Sequence, residues 1–67
     1  SYQYHNKSDL NYVKNLDQCF SIWRKDKEFY LIDGYDDNQI GPFKNINEIN
    51  DYAIKYKLIW NKEGTND

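Results

Sequence analysis

The sequence predicts an α+β fold: a small antiparallel three-stranded meander packed against one C-terminal amphipathic helix. Two patterns carry this expectation. Between positions 18 and 43 apolar residues recur with a period of two, broken twice by polar stretches. From Ile46 onward they recur as Ile49, Tyr52, Ala53 and Tyr56, the spacing of one helical stripe. Size agrees with both, since 67 residues make one domain. A chain this short buries only about 60% of the surface its unfolded form exposes.

Residues 1–7 are polar, with Tyr2 and Tyr4 interleaved, and are expected to fray or lie loosely on the surface. Ser8 or Asp9 can cap a short helix ending at Leu16, with Leu10, Val13 and Leu16 on one side. Asn11 and Asn15 are poor helix formers, and a strand with Leu10, Tyr12 and Leu16 on one face fits almost as well. The short helix is the expectation and the strand its alternative.

From Gln18 the period becomes two, so Phe20 and Ile22 point one way and Cys19, Ser21 and Trp23 the other. Lys25-Asp26-Lys27-Glu28 is a polar break of hairpin length, and Phe29-Tyr30-Leu31-Ile32 returns as a strand apolar on both faces, hence central. Asp33-Gly34 opens a second turn that runs through Asn38. Residues 39–43 form the next strand, an edge because Pro42 cannot donate to a ladder. Asn45 can cap the helix, with Glu48 placed to reach back to the N–H of Asn45. Leu58, Ile59 and Trp60 read as a final short strand or packed extension, and residues 62–67 as disordered. The ordered core is expected over residues 9–60. Ile54 and Leu58 lie off the main stripe, four apart, where the N-terminal segment would cover them or a partner would.

Composition narrows the function classes. One cysteine, Cys19, rules out an internal disulfide, and with a single histidine, His5, a structural zinc would need carboxylates for its remaining ligands. Net charge is −2 with both signs mixed along the chain, not the basic stripe of a general nucleic-acid binder. The longest apolar runs, residues 29–32 and 58–60, are far short of the roughly 20 residues that span a membrane. No signal peptide is visible, which makes the cytoplasm the expected compartment. Lys outnumbers Arg eight to one, the usage of an AT-rich genome such as that of a low-GC bacterium or its phage.

No catalytic residue, metal ligand, cofactor or small-molecule substrate is assigned. Asp33, Asp36, Asp37 and Asn38 lack the ligand spacing and closing Glu of a calcium loop and read as a solvated turn. His5 sits in a polar tail without a predictable partner. Cys19 reads as a small packing residue in a strand. The three glycines are scattered, so there is no phosphate loop.

Gly41, Phe43 and Glu48, with Trp23-Arg24 on a preceding strand, give residues 20–57 an arrangement that resembles the ethylene-response-factor family of DNA-binding domains and related phage integrase arm domains. There a three-stranded sheet ending in Gly-x-Phe feeds a helix, and aromatic and Arg side chains on the sheet contact DNA. The resemblance implies nucleic-acid binding through Trp23 and Arg24, and in a nucleic-acid-binding reading of this strand Lys25 and Lys27 would lie on phosphates. Asp33, Asp36 and Asp37 in the second hairpin oppose such an approach, so only the architecture is carried over.

Aromatics form 18% of the chain, and Tyr, Trp and Arg are the side chains enriched at interfaces. The leading expectation is therefore a non-enzymatic protein-interaction module, in size and composition like small phage-encoded inhibitors of a host protein. Its binding surface would be the sheet face that the helix leaves open, with Trp23, Arg24, Tyr30, Ile32 and Tyr35. Nucleic-acid binding by the Trp23-Arg24 strand and homodimerisation through the aromatic surface are the alternatives.

Overall fold

Strict alternation in the middle of the chain builds an uninterrupted hairpin. In a computed structural model that describes residues 5–59, β2 (Phe20–Lys25) pairs antiparallel with β3 (Glu28–Asp33) in unbroken register from Phe20↔Asp33 to Lys25↔Glu28. The two-residue loop Asp26-Lys27 closes it. Asp26 takes a φ of 56°, the left-handed geometry that tight hairpin turns require at their first loop position.

Among the described residues the sheet has four strands, not the three expected. β1 (Asn11–Asn15) lies beside β2 and β4 (Gln39–Phe43) beside β3, giving the order β1-β2-β3-β4, an antiparallel meander with β3 interior and β4 at an edge. Residues 11–15 are thus a strand rather than a helix, preceded by one 3-10 turn, Lys7–Asp9. The physical reason is a bulge. Tyr12 faces Trp23 but Lys14 faces Ile22, so Val13 is one residue too many for the ladder. Leu10 and Tyr12 keep the alternation on one face, and the extra residue transfers Val13 and Leu16 to the other. A spacing of three arises in an extended chain and imitates a helical stripe.

A second bulge lies on the opposite edge. Phe29 faces Phe43 and Leu31 faces Ile40, which leaves Gly41 and Pro42 together across from Tyr30. A Cβ at Gly41 would come within 2.9 Å of both the Phe29 carbonyl oxygen and the Tyr30 ring. Only a glycine lets β4 pass this close.

The helix α1 (Ile46–Lys55) crosses β3 and β4. Asn45 caps it as expected, its side chain accepting from the Glu48 N–H at 2.9 Å. The return contact differs by one residue: Glu48 Oε1 accepts from the Lys44 N–H, not from that of Asn45. At the other end the Leu58 N–H donates to the Ala53 carbonyl and the Lys57 N–H to that of Ile54, the paired bonds of a Schellman ending. Lys57 occupies the left-handed seat between them, with φ 60°.

Ile22, Leu31 and Ile49 are fully buried between sheet and helix, joined by Val13, Leu16, Phe20, Phe29, Ile40, Phe43, Ile46, Tyr52 and Leu58. Leu58 is therefore a packed extension rather than a strand. Tyr56, at the end of the expected stripe, is 55% exposed. A smaller cluster of Leu10, Tyr30 and Ile32, with Trp23 against it, fills the other face. Expectations for residues 1–4 and 60–67, Trp60 among them, fall outside the described residues.

Ile49→Ala should cost about 2–5 kcal/mol, read as a large fall in denaturation midpoint. Lys57→Gly should raise stability by roughly 0.5–1 kcal/mol, because glycine meets no steric penalty in the left-handed seat. A melting temperature unchanged or lowered by that substitution would contradict the Schellman geometry.

Candidate functional site

The five expected contact residues do not form one surface. Trp23 and Tyr30 are directly paired, and Ile32 shares their face through its pairing with Ser21, the companions the two-residue period suggested. That face is not open, however. Tyr30 is fully buried and Ile32 is 1% exposed, leaving Trp23 half-buried at the rim beside exposed Tyr12. The two rings meet edge-on at 5.5 Å. Arg24 is exposed, but it pairs with Phe29 and so belongs to the helix side of the sheet. Adjacent strand residues point apart, so Trp23 and Arg24 cannot act as one patch. Tyr35 is 89% exposed in the β3–β4 turn.

The cover comes from residues 5–10, of which residues 5–7 were expected to lie loose or fray. The buried side chain of Gln39 clasps the backbone of His5 at both ends: its Oε1 accepts the His5 N–H at 3.0 Å, and its Nε2 donates to the His5 carbonyl. The His5 ring then stands edge-on to Tyr30, with Nε2 3.0 Å from the hydroxyl. Since Tyr30 donates its one proton to Glu28 Oε1 at 3.0 Å, His5 must carry a proton on Nε2 and donate it to the Tyr30 oxygen. Lys7 lies 5.3 Å over the Trp23 ring and pairs with Asp37 at 3.1 Å. Leu10, 6% exposed, is the apolar anchor. Trp23 itself keeps its Nε1 hydrogen-bonded to Ser21 Oγ at 2.8 Å.

The carboxylates of the acidic turn are engaged, two of them within the turn and one by the N-terminal segment. Asp33 accepts from the Tyr35 N–H, Asp36 from the backbone and side-chain N–H groups of Asn38, and Asp37 from Lys7.

A concave feature lies elsewhere, where the β1–β2 turn meets the end of α1. Asp17, Gln18 and Cys19 on one side and Ile54, Lys57, Leu58 and Ile59 on the other line a cleft of about 820 Å3. Asp17 shapes its near wall by accepting from the N–H groups of Cys19 and Phe20 at 2.8 and 2.9 Å. This Asx turn postpones the strand to Phe20, so Cys19 is an exposed turn residue, not a packing residue on the Trp23 face. Ile54 and Leu58 were the sequence signal for this place. The N-terminal segment expected over them is divided: residues 5–10 pack on the opposite face of the sheet, while Val13 and Leu16 join the helix-side cluster that includes Leu58. A cleft with one aliphatic wall facing a polar turn is suited to hold an apolar side chain.

Burial, then the hydrogen bond to Glu28 and its charge, push the Tyr30 hydroxyl from 10.0 up to about 12. The folded state keeps a proton that the unfolded chain gives up, so this contribution is whole below pH 10 and is lost as pH rises through about 12. Melting temperature should fall across that window, and less steeply in Tyr30→Phe. Equal slopes for the two proteins would mean that Tyr30 is not shielded as described.

Set beside known proteins, the chain matches no family model, no curated protein and no solved structure, which leaves the likeness to ethylene-response-factor and integrase arm domains resting on Gly41, Phe43, Glu48 and Trp23-Arg24 alone.

Proposed function

We propose that this domain is a non-enzymatic protein-interaction module and that its contact site is the cleft at the end of α1. The observation that carries the reading is three half-buried aliphatic side chains, Ile54, Leu58 and Ile59, gathered on one wall of a concavity. An apolar side chain of a partner entering this cleft would remove both surfaces from water, at about 25 cal/mol per Å2 of apolar area. Asp17 and Lys57 on the rim carry opposite charges and would orient the partner rather than hold it. A module of this kind acts by occupying its partner's surface, which is how a small inhibitor works.

The same reading explains why the sheet face is the weaker candidate. Its apolar centre is already occupied by the chain's own Leu10, and Arg24 lies on the other side.

Ile54→Lys places a charge in the cleft while keeping helix propensity and a favourable cation near the helix C-terminus. Its stability should stay within about 1 kcal/mol of the parent's, read as a melting temperature that moves little. In capture experiments from the source cells, a protein held by the parent and by Tyr35→Lys should be missing with Ile54→Lys. That capture should survive high salt, whereas phosphate-dominated binding would weaken steeply. A partner retained by Ile54→Lys would remove the cleft from the interface.

A further inference from the structure

The second face of the sheet is closed by a segment held differently from the rest of the domain. We propose that residues 5–10 are a hinged strap, which swings off the Trp23–Tyr30–Ile32 face while the sheet and α1 remain folded. The inference is independent of the cleft, which lies on the helix side.

Three observations carry it. First, the two apolar clusters share no residue: Leu10, Tyr30, Ile32 and Trp23 on one face, and Ile22, Leu31, Ile49 and their neighbours on the other. Removing the strap leaves the helix-side core closed. Second, the strap adds no strand to the sheet. Pairing begins at Asn11↔Arg24, so everything before Asn11 can leave without breaking a ladder bond. Among the described residues, what holds it is one buried side chain, Leu10, the Gln39 clasp, the His5–Tyr30 hydrogen bond, the Lys7–Asp37 pair and the Lys7 ammonium over the Trp23 ring. The ion pair is exposed at both partners and contributes little. The hydrogen bonds exchange for bonds to water at small net cost.

Third, the sheet is already satisfied without the strap. Tyr30 still donates to Glu28 and Trp23 to Ser21, so opening leaves no buried polar group unpaired, and the Gln39 carboxamide turns to water. The uncovered surface would join Tyr12, Trp23, Tyr30 and Ile32, a make-up typical of interface hot spots. The strap is then an intramolecular occupant of a second docking face, and any partner for that face would have to displace it.

Native-state hydrogen exchange on the full chain tests this. The His5 amide, protected by Gln39, and the Leu10 amide should exchange through an opening insensitive to low urea, while the amides of Ile22 and Leu31 follow global unfolding. Gln39→Ala should speed the His5 and Leu10 amides about tenfold without equal change at Leu31. In a Trp60→Phe background it should also raise acrylamide quenching of Trp23. His5→Ala, which leaves Gln39 in place, should move the Leu10 amide in the same direction and serves if Gln39→Ala does not fold. Leu10 exchange that tracks Leu31 in urea, or variants that lower protection equally everywhere, would make residues 5–10 part of one cooperative core and overturn the proposal.

Discussion

A four-stranded sheet has two faces, and among the described residues one ten-residue helix is there to cover them. Everything else in the fold answers that shortage. The helix shields Ile22 and Leu31, on which the main core depends. The other face carries Tyr30 and Ile32, too apolar to leave in water, so the N-terminal segment is drawn over them. A segment of six residues cannot supply a second helix-sized apolar stripe. It covers the face instead with one leucine and a set of polar contacts, and this is why a glutamine and a tyrosine hydroxyl are used beneath it.

Much of this was legible in the sequence. The alternation around Phe20 and Ile22, the doubly apolar run at residues 29–32 and the Asn45 cap each reflect a local rule that tertiary packing then reinforced. The outer strand β1 was not legible as a strand, because a bulge at Val13 gives an extended segment the spacing of a helix. Cys19 was misplaced for a related reason: the Asp17 carboxylate delays the strand by two residues, and no hydrophobic pattern records a turn held by one side chain.

The candidate site was legible only as a residue of the pattern. Ile54 and Leu58 stood off the helical stripe, which showed that something must lie against them but not what. Their neighbours across the cleft come from the β1–β2 turn, some 35 positions earlier in the chain, and that proximity is a product of topology rather than of local sequence. The Trp23–Arg24 pairing failed on simpler grounds. Neighbours in a strand are strangers in space, and an aromatic beside an arginine in sequence is not a patch unless the backbone turns.

The two bulges have a consequence of their own. Open sheet edges are templates for other chains, and a domain with 18% aromatics and strands this apolar would be prone to stack into fibrils. Here each outermost strand carries one residue too many, Val13 on one side and the Gly41-Pro42 step on the other, and the first edge adds Lys14 while the second lacks an amide at Pro42. An incoming strand would find its donors and acceptors out of step on either side. These irregularities, the first of which gave β1 the spacing of a helix, are thus what keep the ladder from being extended, and the sheet edges offer side chains rather than a regular backbone template.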